Sequence, residues 1–147
     1  MREIMFKAKR IDNGKWVEGH LIQSPYMGEV RSWISTPEDK TRLRAIATYY
    51  GDWRAVEVST DTICQYTGLN DKNGNKIWEN DIMVAHFDDI YPEDESYTQV
   101  IWYQNGFYTK EKRSPDREPL DDFDSQNYTV CGNIFDNAEL LDLVREV

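Results

Sequence analysis

The sequence predicts a mainly β, or α+β, protein, and three observations carry this prediction. Short apolar runs alternate with clusters of Gly, Asn, Asp and Pro, the residue types that close turns between strands. The 147 residues include five Trp and nine Tyr, whose rings favour strands and bury about 150 to 250 Å² each. Leu, Ile, Val and Phe account for 32 residues, a share just above the ~20% below which a highly charged chain usually stays disordered.

The N-terminal region, 1–60, is predicted to form an antiparallel sheet. It begins with a hairpin over 4–22, because Asn13 and Gly14 tolerate the positive φ of a tight turn. Gly19, in the second strand of this hairpin, indicates a bulge or a close approach of backbone. Further strands are expected at 29–35, 44–50 and 53–58.

The second region, 61–147, is predicted to form an SH3-like barrel or a curled sheet that a C-terminal helix closes. Its first strands flank a dense turn cluster at 70–74, followed by a strand at 82–87. The next hairpin turns at Asn105-Gly106, the strongest short-range hairpin signal in the chain.

The remainder of the second region is predicted to contain two loops, one strand and the terminal helix. Residues 88–95 contain five acids and one Pro, and residues 111–127 contain two Pro and little apolar surface, so both are predicted loops. The last strand is expected at 128–135. A helix is expected from about Ala138, with its apolar side formed by Leu140, Leu141 and Val144.

Charge is distributed unevenly along the chain. The net charge is −10 and the pI is about 4.6. Residues 1–60 carry ten basic and eight acidic side chains, whereas residues 61–147 carry seven and nineteen. Because attraction to phosphate backbones and anionic lipids needs Lys and Arg, we expect neither nucleic acid nor a membrane as a partner.

No targeting or membrane-spanning segment is evident in the sequence. The first ten residues are charged and lack the apolar run of a secretory signal, and no apolar run approaches the about 18 residues that span a bilayer. We therefore expect a cytoplasmic protein in which Cys64 and Cys131 are reduced and not joined by a disulfide.

Two groups of residues resemble metal sites but fail on spacing. The turn around Asp71, Asn73 and Gly74 offers side-chain oxygens, yet in the register of an EF-hand loop Leu69 stands at the first ligand position and Asn80 at the last. Structural zinc sites bring ligands in local pairs, and no such pair exists among Cys64, Cys131, His20 and His86. We expect no metal and no other cofactor.

No catalytic motif is present in the chain. The GxSxG, P-loop, GxGxxG and HExxH patterns are all missing. Carboxylates at Glu79, Asp81, Asp88 and Asp89 can form an acid–base pair, but such coincidences are expected among 27 acids. Neither cysteine has a basic neighbour or a glycine-rich turn that would activate it. An enzymatic function is therefore not indicated.

The first region carries a candidate interaction surface. Its aromatic members are Trp33, Tyr49, Tyr50 and Trp53, and they interleave with the basic residues Arg31, Lys40, Arg42, Arg44 and Arg54. This composition is typical of single-strand stacking surfaces and of protein interfaces, where Trp, Tyr and Arg are the usual anchors. Acidic residues in the same segment favour a protein partner.

Residues 65–82, Gln-Tyr-Thr-Gly-Leu-Asn-Asp-Lys-Asn-Gly-Asn-Lys-Ile-Trp-Glu-Asn-Asp-Ile, closely resemble the YopX-like proteins of bacteriophages and prophages. The motif is long and specific. Residues 2–8 and 15–19 near the start, and 132–137 and 139–141 near the end, agree with the same family. The chain departs from the family pattern by having Lys at position 9, where Trp is expected, and Asn at position 80, where Gly is expected.

The resemblance implies a mostly β protein of a mobile element that acts in the bacterial cytoplasm, and it carries over no catalytic residue. Within the motif we expect Tyr66, Ile77 and Ile82 in the core. Turns and backbone hydrogen bonds are the roles expected of Gly68, Asp71, Asn73, Gly74 and Asp81. The motif is therefore interpreted as a signature of the fold.

Two classes of function remain. We favour a protein-binding or self-assembling accessory module and expect it to self-associate through the aromatic, near-neutral region 1–60, because the acidic remainder of the chain repels its own copy. A host or phage protein is the other partner considered. The alternative is an acidic protein that imitates the charge of DNA and occupies a host DNA-binding protein; a single-strand nucleic-acid-binding module ranks below it. Mimicry needs carboxylates along one rigid face, whereas 88–95 and 116–124 are predicted to be mobile.

Overall fold

The computed structural model describes residues 3–35, 55–86 and 95–142. The chain divides into two compact units, Met1–Tyr66 and Thr67–Val147. The described residues form antiparallel sheets with a single α-helix and short 3-10 turns, which confirms the mainly β prediction. Within these residues, no helix has the length and apolar character needed to cross a membrane. The predicted strand at 44–50 lies outside the described residues.

The first unit is an antiparallel sheet in the order β4-β3-β2-β1-β5. Its strands are β1 (Phe6–Lys9), β2 (Trp16–Tyr26), β3 (Glu29–Ser35), β4 (Ala55–Val58) and the start of β5 (Cys64–Asn70), with a 3-10 turn at Thr60–Thr62. The predicted first hairpin is confirmed, because Phe6 pairs with Gly19 and Lys9 with Trp16. Gly14 adopts a φ of 71° in its turn.

This first sheet curls on itself. Beyond β1, Arg10 forms an antiparallel bridge with Val58 of the edge strand β4, and the Ser59 N–H donates to the Lys9 carbonyl at 2.8 Å. A buried core of Ala8, Ile34 and Val58 lies within the curl. A Cβ atom on Gly19 would lie 2.1 Å from the Ser35 carbonyl oxygen, which confirms the predicted close approach of backbone.

The second unit contains the rest of β5, which is hydrogen-bonded to β6 (Lys76–Trp78), and a five-stranded antiparallel sheet in the order β10-β9-β8-β7-β11. Its elements are β7 (Asp81–His86), β8 (Glu95–Tyr103), β9 (Gly106–Glu111), β10 (Arg117–Pro119), helix α1 (Asp122–Asn127), β11 (Thr129–Asn133) and a 3-10 turn at Ala138–Leu141. The core consists of Ile77, Met83, Ala85, Val100 and Tyr128.

The predicted hairpin of the second unit is confirmed, with its turn one residue earlier than expected. Val100 pairs with Thr109 and Tyr103 with Gly106. Gln104 and Asn105 occupy the turn with φ values of 46° and 68°, so Gly106 becomes the first residue of β9. Two positive φ values at the centre of a two-residue loop match the twist of the flanking strands.

Other predictions for the second unit are wrong in part. Residues 111–127 are not a loop throughout, because they contain β10 and α1. The expected C-terminal helix is a 3-10 turn at Ala138–Leu141 in the described residues, and Val144 lies outside them. The described strands of this unit show no closed barrel, since β10 and β11 stand at opposite ends of the sheet order.

Candidate functional site

The turn at residues 71–75, here called the signature turn, is built around a buried carboxylate. Asp71 is only 5% exposed. Its Oδ1 accepts hydrogen bonds from the backbone N–H groups of Asn73 and Asn75, each at 2.9 Å, and Gly74 lies in the same turn with a φ of 86°. Its Oδ2 accepts from the N–H of Val130 in β11 at 2.9 Å. One side chain therefore fixes the turn and joins it to a strand 59 residues away.

Hydrogen bonds decide the ionisation of Asp71. Burial acts to raise the pKa of this carboxyl, but the backbone N–H groups of Val130, Asn75 and Asn73 outweigh burial and hold the pKa below its usual value. The carboxylate is therefore ionised and fully engaged in the fold.

Two further hydrogen bonds join the signature turn and the residue before it to the segment formed by α1 and the start of β11. The N–H of Lys72 donates to the carbonyl of Tyr128 at 3.2 Å, and the Ser125 hydroxyl donates to the carbonyl of Asn70. Both partners belong to α1 or to the residue that follows it. The turn and the α1–β11 segment consequently form one hydrogen-bonded assembly.

The second carboxylate of the motif, Asp81, also serves the backbone. It is 1% exposed, and its Oδ2 accepts from the N–H of Trp78 at 2.8 Å. Between them, Asn80 adopts a left-handed φ of 70°. The departure from Gly at this position is thus compatible with the backbone, because Asn tolerates that region better than most residues.

The family-like stretch near the C-terminus forms a turn of the same kind. The Asn133 side-chain oxygen accepts from the N–H groups of Phe135 and Asp136, each at 2.9 Å, and the Asn137 side-chain oxygen accepts from the Asn133 N–H at 3.1 Å. A Cβ on Gly132 would lie 2.4 Å from the Asn137 Oδ1, so this turn also depends on a missing side chain.

The remaining sequence-predicted residues are only partly brought together. Gly68 lies in β5 with a φ of 92°. Trp33 is half-buried in β3, where the guanidinium of Arg31 lies 5.4 Å from its ring centroid and pairs with Glu57. Tyr49, Tyr50 and Trp53 lie outside the described residues, as do Asp88, Asp89, Lys40, Arg42, Arg44 and Arg54.

The thiols and histidines do not assemble into a metal centre in the described part of the chain. Cys64 is buried in β5 and Cys131 is exposed in β11, both as free thiols. Over residues 3–35, 55–86 and 95–142, no three side chains among His, Cys, Asp and Glu are grouped so that they could hold an ion.

A cleft of about 250 Å³ beside β9, β10 and α1 was not predicted from the sequence. We call it the acidic cleft, because five carboxylates and no described basic residue line it: Glu111, Asp116, Glu118, Asp121 and Asp124. The ring of Phe123, 58% exposed, also lines it.

The acidic cleft has a measurable electrostatic signature at Asp124. Burial, and the negative charges of Asp121 and Glu118, raise the pKa of this carboxyl to about 6, although the N–H of Asp121 donates to it. Asp121 in turn caps α1, because its side chain accepts from the N–H groups of Phe123 and Asp124. The Asp121-x-x-Asp124 spacing of a capping box is the sequence signal for this helix.

The β8–β9 hairpin carries four aromatic rings near its turn, here called the hairpin aromatic cluster. Trp102 is 52% exposed and lies edge-on to Phe107 at a centroid distance of 5.0 Å. Tyr103 lies edge-on to Tyr108 at 5.5 Å, and the guanidinium of Arg117 stacks 4.7 Å from the Tyr103 centroid. The Trp102–Phe107 pair lies on one face of the hairpin and the Tyr103–Tyr108 pair on the other, because successive residues of a strand point to opposite faces.

Similarity to known proteins agrees with this architecture. The YopX protein family matches residues 5–142 of the chain. The crystal structure of protein EF1440 from Enterococcus faecalis is similar with a TM-score of 0.53 and 21% identity, over 97% of this chain and 100% of that one, which is a similarity of fold. No curated protein matches the sequence. With nearly its whole length matched and the motif built into its turns, the chain belongs to the YopX protein family.

Proposed function

We propose that this YopX family protein is a non-enzymatic accessory module that works by binding another protein, in the cytoplasm of a bacterium that carries a mobile element. The observation that carries the proposal is in the hairpin aromatic cluster, where Trp102 remains 52% exposed beside the ring of Phe107. The polar groups of the family motif, in contrast, serve the chain's own backbone.

The first support is that the two buried carboxylates of the family motif bind the chain's own backbone. A catalytic carboxylate must present a lone pair to a substrate, whereas Asp71 is 5% exposed and receives three backbone hydrogen bonds. Asp81 is buried and bound to the Trp78 N–H. Family resemblance at these positions therefore reflects the requirements of folding.

The second support is the composition of the hairpin aromatic cluster. Trp, Tyr and Arg are the residue types that most often dominate the energy of protein interfaces. Trp102 lies on one face of the hairpin, and Tyr103 with the stacked guanidinium of Arg117 lies on the other; edge-on and cation–π contacts already hold both rings. Rings that are held in place lose little conformational entropy when a partner covers them.

Affinity capture with matched variants tests this proposal. Immobilised wild-type protein is incubated with bacterial extract beside Trp102→Ala and Val30→Ala, since Val30 in the first unit has the same exposed fraction, 52%. We expect a protein that wild type and Val30→Ala retain and that Trp102→Ala loses. Equal retention by both variants, or no retained protein with wild type, would contradict the proposal.

A second candidate function is favoured by one observation. Imitation of DNA requires carboxylates on rigid elements, and three acids of the acidic cleft lie on or beside β9 and β10 rather than in a mobile loop. These acids are Glu111, Asp116 and Glu118. The sequence-based objection to mimicry, that residues 116–124 are mobile, is therefore weaker.

The mimicry candidate is tested by displacing DNA from a bacterial DNA-binding protein. Wild type is compared with a triple variant, Glu111→Gln, Asp116→Asn and Glu118→Gln, and with a control of equal charge in which Glu18, Glu29 and Asp61 are neutralised. Mimicry predicts that only the cleft variant loses displacement. If wild type displaces no DNA from any such protein, the candidate is removed.

A further inference from the structure

The two faces of the sheet at β9 and β10 carry opposite charge. Successive residues of a strand point to opposite faces, so Lys110 and Glu111 diverge, as do Arg117 and Glu118. The register places Arg117 opposite Lys110, and Glu118 opposite the buried Thr109. One face therefore leads into the acidic cleft and the other carries the two cations.

The face with the two cations also carries aromatic rings. Tyr108 shares it with Lys110, because they are two residues apart in β9, and Tyr103 lies edge-on to Tyr108 at 5.5 Å. Arg117 stacks on Tyr103. We call these four residues, Tyr103, Tyr108, Lys110 and Arg117, the tyrosine face.

We propose that the tyrosine face of one copy of this chain docks on the acidic cleft of a second copy. The inference rests on the proposed protein-binding function and names the partner. It places the contact in the second unit, whereas the sequence predicts a contact through the near-neutral region 1–60.

Charge complementarity is the reason for proposing that a second copy of the chain occupies the acidic cleft. The tyrosine face contains two cations and no carboxylate, whereas the acidic cleft is lined by five carboxylates and, among the described residues, by no cation. Opposite potentials on two surfaces favour and orient their encounter. The exposed ring of Phe123 at the cleft adds apolar area for the tyrosines to cover.

A second copy fits the tyrosine face better than a single-stranded nucleic acid does. Tyrosines beside Lys and Arg can stack on bases, but the nineteen acidic and seven basic side chains of residues 61–147 repel phosphates and a second copy alike at long range, so the local contact decides between them. A second copy brings carboxylates that are already fixed by β9, β10 and α1.

The geometry also fixes the kind of assembly. The two docking surfaces lie on opposite faces of one sheet, so the contact joins unlike surfaces and is not two-fold symmetric. Each added copy leaves one tyrosine face and one acidic cleft available. Association therefore continues beyond a dimer unless a ring closes.

Light scattering over a wide concentration range, at low and high salt, tests the wild type first. We expect a mass above 17.4 kDa that grows with concentration and falls when salt screens the contact. A monomer of 17.4 kDa under all conditions would overturn the inference. If that monomer still captured a different protein through Trp102, the proposed function would stand while this inference fell.

Two blocking variants test the assignment of the surfaces. Lys110→Gln with Arg117→Gln removes the cations of the tyrosine face, and Glu111→Gln, Asp116→Asn with Glu118→Gln neutralises the cleft. Each variant alone should associate at least about tenfold more weakly than wild type. Mixed in equal amounts, they should form a dimer and stop there, because each supplies the surface that the other lacks.

Urea denaturation of each variant first establishes that it is folded, so a mixture that fails to associate reports on the docking surfaces and not on misfolding. A mixture that remains monomeric, or variants that associate as strongly as wild type, would overturn the inference. So would binding of a single-stranded oligothymidine that wild type shows and the Lys110→Gln, Arg117→Gln variant loses.

Discussion

Asp71 and Asp124 lie in the same unit and are both withdrawn from water, yet their carboxyl groups behave in opposite ways. Hydrogen bonds from three backbone N–H groups overcome burial and lower the pKa of Asp71. Asp124 receives one such bond and faces Asp121 and Glu118, so burial and repulsion raise its pKa to about 6. Ionised Asp71 therefore stabilises the folded chain through the signature turn. Ionised Asp124, in the acidic cleft, lowers the free energy of unfolding.

The largest effect is expected from Asp71→Ala. This change leaves the N–H groups of Asn73, Asn75 and Val130 without their acceptor, and each unsatisfied group costs about 1 to 3 kcal/mol. We predict a loss of about 3 kcal/mol or more in the free energy of unfolding, measured by urea denaturation. The control, Asp61→Ala on an exposed residue of the first unit, should change it by less than about 0.5 kcal/mol.

If the alanine variant does not fold, Asp71→Asn replaces it in the urea experiment. The asparagine amide retains one oxygen acceptor, so we expect a smaller loss of stability. The sign of the pH dependence follows from the lowered pKa. The contribution of Asp71 to stability is present above its unfolded pKa near 3.8 and is lost as pH falls through the lower folded value. Equal stability of the Asp71 and Asp61 variants at pH 7 would contradict the account.

A smaller effect is expected from Gly74→Ala. A Cβ at this position meets no atom within 4 Å, so the whole cost arises from placing alanine at a φ of 86°. We predict a loss of about 1 kcal/mol, measured in the same urea experiment. A loss as large as that of Asp71→Ala would show that the turn depends on its backbone conformation more than on its carboxylate.

Asp124→Asn should change stability in the opposite direction. Because the folded pKa of about 6 lies above the unfolded value, ionisation opposes folding as pH rises from about 4 through 6. The group is only partly buried, so solvent screening reduces the effect to a gain of about 1 kcal/mol for the variant at pH 7.5. The gain should vanish at pH 4, where the wild-type carboxyl is neutral. A variant less stable than wild type at pH 7.5 would contradict this.

The smallest effect is expected from Asn80→Gly, which restores the residue expected in the family. Both residues accept a φ of 70°, and the lower strain of Gly is offset by its greater freedom in the unfolded chain. We predict a change within about 0.5 kcal/mol by urea denaturation. A larger loss would assign the Asn80 side chain a role in the fold.

Local features of the fold could be predicted because short-range chemistry determines them. The first hairpin follows from Asn13 and Gly14, and the β8–β9 hairpin from Asn105 and Gly106, although the second turn lies one residue earlier, at Gln104–Asn105. Turn roles within the motif are likewise visible in its Gly and Asn content.

Long-range features could not be predicted from one sequence. Nothing local indicates that Asp71 binds the backbone of Val130, or that Arg10 meets Val58 and curls the first sheet. Helix α1 did have a local signal, the capping pair Asp121 and Asp124, but the charge and proline content of its surroundings favoured a loop. The acidic cleft was missed with that helix, because its carboxylates converge only once α1 and β10 have formed.

Carboxyl-detected NMR titration of the two aspartates in one sample tests the contrast between them most directly. We predict that Asp124 titrates near pH 6 and that Asp71 titrates below 3.8. That result would establish one carboxylate as a satisfied part of the fold and the other as part of a repelling, partly desolvated surface. Titration of both groups near the ordinary value of about 4, or a higher pKa for Asp71 than for Asp124, would contradict the account.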